Sequence, residues 1–261
     1  MEKPYQKDMR HTTWDKVFER QSCRVALLEQ WLMDLEISPG TRVLDVGAGP
    51  GYFSLMLAER VGPAGVVYAV DRSAEALAYL ERLQQERGIT NIQRIVADIT
   101  TLPTGVIHPQ AALITMVLHH AADPPGMVAG AARQLSMGSR AIVAEFHPEG
   151  PGEYGPPLSE RVHPEQVRAW CEEAGFEVLA YRRQTPEHYM LFKNTGHSRG
   201  PCPLYRKDRG ARSESGVHRA ATAVSRPTFR FRSDNGRISV AVMPKSSPMG
   251  RRDRAHPGRA R

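Results

Sequence analysis

The chain has 261 residues, 41% of them hydrophobic, enough to bury one good core with a small appendage. Its formal net charge of +7 is confined to one end: residues 194–261 hold 16 of the 35 Lys and Arg but only 4 of the 28 Asp and Glu, so that stretch is +12 and the 193 residues before it are −5. The body thus offers no basic face for nucleic acid by composition, and no apolar run reaches the roughly 18–20 residues that span a bilayer. The opening "MEKPYQKDMRHTTWDK" lacks the apolar stretch of a secretion signal. Cys23, Cys171 and Cys202 are odd in number and far apart, which argues against a disulfide framework or a thiolate metal site and for a reducing cytoplasm.

In chain order, residues 11–40 read as one helix. Thr12 and Asp15 make a capping box, Leu28, Trp31, Leu32 and Leu35 fall on one stripe at i, i+3, i+4, i+7, and Pro39-Gly40 closes it. Residues 1–38 are expected to form a helical cap or lid, with Tyr5, His11, Trp14 and Phe18 as its aromatic candidates. A strand over 41–47 leads into glycines, and a helix follows to about Arg60. "VVYAVD" (66–71) is a second strand, Ser73 caps a helix over 74–88, and "IQRIVAD" (92–98) is a third strand. "LITMVLHH" (113–120) and "RAIVAEF" (140–146) are strands four and five, with a helix begun by "ADPPG" between them. A helix over 163–175 has Pro164 in its first turn. "FEVLAYRRQ" and "HYMLFK" then form a closing antiparallel pair around "TPE".

Strands alternating with helices predict an α/β fold, a mostly parallel sheet covered on both faces, over residues 39–193. Right-handed crossovers bring the strand C-termini to one edge, where such folds bind ligands. Residues 194–261 are rich in Arg, Ser, Gly and Pro and are expected to be a disordered basic tail. Within them only "PTFRFR" and "RISVAVM" hint at strands.

The chemistry begins at "LDVGAGPGYFSLML" (44–57). Gly47, Gly49 and Gly51 form G-x-G-x-G, whereas a dinucleotide loop reads G-x-G-x-x-G and has its last glycine where this chain carries Tyr52. Such a loop holds a pyrophosphate, the amino-acid end of S-adenosylmethionine, or nothing. S-adenosylmethionine has a sulfonium and an ammonium and needs carbonyls and a carboxylate near them, and Asp45 is placed to serve the ammonium directly or through water. Asp71 ends strand two, 20 residues after Gly51, where a carboxylate can accept both ribose hydroxyls. Asp98 ends strand three and can accept from the adenine amine, with Ile99 beside the ring. Each alone is equally a turn-former or helix cap; together on one edge they make a nucleoside site.

"VLDVGAGPGYFSLMLAERVGPAGVVYAVDRSAEAL" resembles motif I and the acidic strand end of class I S-adenosylmethionine-dependent methyltransferases. "VLHHAADP", "GPPLSERVHPEQVRAWCEEAGFEV" and "EHYMLF" narrow the resemblance to the type-11 group, which includes quinone-biosynthesis C-methyltransferases and arsenite-methyltransferase-like proteins. The resemblance covers roughly residues 10–193. It implies a three-layer, Rossmann-like seven-stranded sheet with a reversed last strand and S-adenosylmethionine as cofactor. It also implies Gly47, Ala48, Gly49 and Gly51 beside the methionine, Asp71 with Arg72 at the ribose, and Asp98 with Ile99 at the adenine. Of the family's Lys-Pro-Gly-Gly turn only Gly138 remains, and Ala111 and Ala112 stand where an aspartate is usual.

Methyl transfer is an in-line displacement, so alignment carries much of it, and a base is needed only for an acceptor that bears a proton. His119 and His120 sit on the ligand edge as base or orienting groups, or else pack under the cofactor and cap the next helix. Glu145 and His147 flank Phe146 on one face of strand five as a second acid–base pair, or else begin a solvated loop. No metal site is expected. A small-molecule acceptor fits the acidic body. The alternatives are RNA, held only through residues 194–261 with Tyr205, Phe229 and Phe231 among the cations, and a non-catalytic binder of the cofactor.

Overall fold

In the computed structural model the described residues are 12–194, 229–234 and 237–242. Tyr5, His11, Cys202, Tyr205 and most of the basic tail lie outside them. The chain divides into two compact units, Met1–Pro203 and Leu204–Arg261.

The first unit is built on a seven-stranded sheet. Its strands are β1 (Arg42–Val46), β2 (Val66–Asp71), β3 (Ile92–Val96), β4 (Ala111–Thr115), β5 (Arg140–Phe146), β6 (Glu177–Arg183) and β7 (His188–Asn194). They lie in the order β3-β2-β1-β4-β5-β7-β6, all parallel except β7, which runs antiparallel between β5 and β6. The helices are α1 (Trp14–Ser22), α2 (Val25–Asp34), α3 (Tyr52–Val61), α4 (Ala74–Arg87), α5 (Pro124–Gln134) and α6 (Pro164–Glu173). They cover both faces, as the near-continuous apolar strands require. One core joins α2, α3 and α4 to Val43, Val67, Leu113 and Ile142; the other joins α5 and α6 to Leu44, Val46, Ile114 and Val143. Alternation along each strand sends neighbours to opposite cores. The expected seven-stranded sheet with its reversed last strand is therefore present.

Three local expectations change. The helix read over 11–40 is two, broken at Cys23 and Arg24, because its halves cover different surfaces: α2 buries Leu28, Trp31 and Leu32 in the core, while α1 lies over the glycine loop. Its cap is Thr13, whose hydroxyl accepts from Lys16 N at 3.3 Å, not Thr12. Strand four stops at Thr115. Met116 has a left-handed φ of 53° and Leu118–His120 is a single 3-10 turn, so the two histidines leave the ladder. In the second unit, the two segments that hinted at strands pair as antiparallel β8 (Phe229–Asp234) and β9 (Arg237–Val242). Among the described residues no helix is long and apolar enough to cross a membrane, and no group of His, Cys, Asp and Glu is arranged to hold a metal ion.

Candidate active site

The strand order reverses between β1 and β4, and a crevice opens there at the strand C-termini. The glycine loop forms its floor. Gly47 and Gly51 have φ of 69° and 83°, which side chains resist. A Cβ at Gly47 would overlap Val117, and one at Gly51 would overlap Leu80. Gly47 and Ala48 donate to Val70 O at 2.8 and 3.2 Å, continuing the β1–β2 ladder, and Gly49 N–H donates to Asp71 Oδ2 at 2.8 Å. From above, the Gln21 amide of α1 donates to Ala48 O at 3.1 Å and accepts from Tyr52 N at 3.0 Å. Tyr52 itself is buried and meets Phe18 edge-on at 5.1 Å. The position that a dinucleotide loop leaves bare is filled by this ring, which denies a pyrophosphate close approach to the start of α3.

Asp71 and Asp98 stand at successive strand ends. Asp71 Oδ1 accepts from Ser73 N at 2.9 Å. Asp98 Oδ1 accepts from Thr100 N at 2.9 Å, and its Oδ2 lies 3.4 Å from Arg72. Burial works against ionisation of Asp98, but the Thr100 bonds and the Arg72 charge outweigh it and hold the carboxyl below its usual range. Both are ready acceptors with lone pairs to spare. Asp45 differs. It is 2% exposed and lies behind the loop, with Oδ2 accepting from Ser54 Oγ at 2.6 Å. Burial pushes its pKa up to about 6; the Ser54 bond opposes the rise and the Asp71 charge adds to it.

One continuous cavity of about 2090 Å³ runs from this nucleoside end to the end of β5. Gly47, Gly49, Asp71, Arg72, Asp98 and Ile99 line one part of it, and His119, His120 and Phe146 another. Ala48 and Gly51 are buried within the loop. Glu145 is fully buried one layer back, and its carboxylate is surrounded by donors. Oε1 accepts from Leu118 N at 2.6 Å, and Oε2 from Phe146 N at 3.1 Å and from the His119 ring Nδ1 at 2.7 Å. A carboxylate that accepts two backbone N–H bonds takes a proton donor, not a lone pair, at its third contact. Nδ1 of His119 therefore carries a proton, and in its neutral form the ring holds its lone pair on Nε2. The His120 ring lies against it, centroids 3.9 Å apart.

The expected Glu145–His147 pair does not form. His147 accepts from Glu149 N at Nδ1, 3.1 Å, and so donates from Nε2 to the Tyr181 hydroxyl at 3.2 Å. Burial, with the charge of Arg183, lowers its pKa. It is absent from the cavity wall. Four wall residues that the sequence did not single out are Gln21, Arg24, Tyr154 and His188. Gln21 and Arg24 were hidden in what reads as one unbroken helix. His188 heads the "HYMLF" strand, and Tyr154 sits in a Gly- and Pro-rich loop with no periodicity.

A family model described as a methyltransferase domain matches residues 37–197, more than half of the sequence. The chain belongs to this methyltransferase family. It is 34% identical over 109 residues to a 2-phytyl-1,4-naphtoquinone methyltransferase of Nostoc punctiforme, a match covering 41% of this chain and 47% of that one. It is 27% identical over 183 residues to the ubiquinone/menaquinone biosynthesis C-methyltransferase UbiE of Ectopseudomonas mendocina, covering 57% and 70%. The chain spans about a quarter to a half of the length of several other curated relatives it matches. A solved SAM-dependent methyltransferase from Aquifex aeolicus shares the fold with a TM-score of 0.63 and 20% identity, over 70% of this chain and 98% of that one. The methyltransferase's cofactor is S-adenosylmethionine. The site fits it: the loop is bare of side chains at Gly49, and Asp98 and Asp71 line the same cavity.

Proposed function

We propose that this methyltransferase acts on a small molecule bound between the glycine loop and the end of β5, with His119 as the base. The observation that carries the reading is the single cavity that joins the two strand-end carboxylates to the Glu145-oriented His119. In this reading Asp71 takes the ribose hydroxyls, with Arg72 beside it. Asp98 and buried Ile99 take the adenine, and Gly47 to Gly51 lie along the methionine. S-adenosylmethionine supplies an electrophilic methyl group on a sulfonium. The chain's own part is to hold the acceptor, exclude water and receive its proton at His119 Nε2, while Glu145 stabilises the imidazolium so formed. The likeness to two quinone methyltransferases supports a small acceptor.

Calorimetric titration with S-adenosylhomocysteine, with NADH alongside, tests the cofactor site; binding of the first alone is expected. Asp71→Ala should then weaken S-adenosylhomocysteine by about 2–3 kcal/mol, since a charged acceptor for two hydroxyls is lost. An unchanged affinity would remove the ribose from Asp71.

A further inference from the structure

Beyond the cofactor's part of the cavity, the ring of Phe146 forms a hub. The Arg24 guanidinium lies over it at 5.3 Å, the His188 ring at 4.9 Å and the His119 ring edge-on at 5.5 Å; Tyr154 stands 5.6 Å from His188. All five line the same wall.

Two of these groups have nothing to donate to. Arg24 sits at the joint between α1 and α2, and its guanidinium makes no hydrogen bond or ion pair among the described residues. Glu145, the carboxylate whose charge it feels most, is already committed to His119. A guanidinium has five N–H donors in a planar fork, and those of half-buried Arg24 line the cavity wall with no protein acceptor among the described residues. His188 is 2% exposed, and its Nε2 has no partner.

The neighbours of His188 fix its tautomer. The Thr185 hydroxyl accepts from Glu187 N at 3.2 Å and from His188 N at 3.1 Å, which uses both of its lone pairs. Its hydrogen is left for His188 Nδ1, 3.0 Å away, so Nδ1 accepts. The ring is neutral, because burial and then the charges of Arg24 and Arg161 lower its pKa to about 4, against the pull of Glu187 and Glu145. Its one proton is therefore on Nε2. Arg161, the other cation on the Phe146 ring, is not available to a ligand: it is bound to Glu187, His147 O, Pro156 O and Tyr154 O.

Resting on the methyltransferase reading above, we infer that the acceptor is a small carboxylate. Its anionic group is held by the Arg24 fork and the His188 Nε2–H against Phe146, which leaves the rest of the molecule directed to His119. A carboxylate meets both requirements: it presents two coplanar oxygens to the fork and a further lone pair to His188. A neutral quinone or amide offers no charge and leaves that of Arg24 uncompensated.

The test titrates a panel of small aryl and 2-oxo carboxylates, each beside its neutral carboxamide, into the full-length protein with and without saturating S-adenosylhomocysteine. At least one carboxylate is expected to bind ~10-fold or more tightly than its amide. The preference should be lost in Arg24→Gln and largely retained in Arg24→Lys, with S-adenosylhomocysteine affinity the same in both. A wild type that prefers no carboxylate over its amide overturns the assignment, and so does a preference that survives Arg24→Gln. Failure of S-adenosylhomocysteine to bind is a separate result that removes the parent reading, while the titrations without it still decide the carboxylate site.

Discussion

Glu145→Gln is expected to lower kcat for methyl transfer by about 100-fold or more while leaving S-adenosylhomocysteine affinity unchanged. The carboxylate serves donors on both of its oxygens: Leu118 N at one, and Phe146 N and His119 Nδ1–H at the other. Glutamine has one oxygen and one NH2. With its oxygen toward Leu118, the NH2 meets Nδ1, and the imidazole must turn its lone pair to Nδ1 and move its proton to Nε2. The group facing the cavity is then a donor, not a base. With its oxygen toward Nδ1, the NH2 faces the Leu118 amide, and the 3-10 turn that carries both histidines is displaced. Either outcome removes the base, and neither touches Asp71 or Asp98. A 15N spectrum of the histidine ring reports the tautomer without any acceptor in hand, and kcat is then read on an acceptor found in the carboxylate screen. A variant that keeps both the Nδ1–H tautomer and the wild-type rate would withdraw the base role from His119.

Where the causes are local, the sequence carries them. β5 spans the residues its apolar run predicts, Ser73 caps α4 through its hydroxyl, and Asp71 and Asp98 end or follow the strands that place them on the cavity edge. Even Tyr52 can be read in advance, since its bulk alone decides against a pyrophosphate. The pairing of His119 with Glu145 was not legible for a definite reason. His119 and Glu145 are 26 residues apart and meet only because β4 and β5 pair with Thr115 beside Ala144. The same register puts a carboxylate under the chain just after Thr115, and that carboxylate draws the Leu118 and His119 N–H groups off the ladder into a turn. Strand alternation suggests instead that Glu145 shares a face with His147, which holds for direction but not for partnership. Arg24 and Gln21 were illegible because the break between α1 and α2 has no Pro or Gly to announce it. It exists because one half of that segment must enter the core while the other covers the loop.

Asp45→Asn separates two roles that one buried carboxylate can play. The ordinary pKa of an aspartate is near 3.8, and burial lifts this one to about 6, so the fold prefers the neutral form. Between those values the unfolded chain gives up its proton and the folded chain keeps it. Stability therefore falls as pH rises from about 4 to about 6 and levels off above that. Two pKa units correspond to about 3 kcal/mol. In the absence of cofactor, Asp45→Asn should erase this slope and, above pH 6, make the protein up to ~3 kcal/mol more stable than the wild type, because the amide can still accept from Ser54 Oγ. Cofactor binding should go the other way. If the ammonium of S-adenosylmethionine draws on the Asp45 charge across the loop, binding lowers the Asp45 pKa and releases a proton near pH 6. Calorimetry in buffers of different ionisation enthalpy measures that release. Asp45→Asn should abolish it and weaken the cofactor, even as the empty protein gains stability. A carboxylate kept only to hold Ser54 would show the stability gain with no loss of binding and no proton release, and the ammonium would then have to be assigned to the loop carbonyls alone.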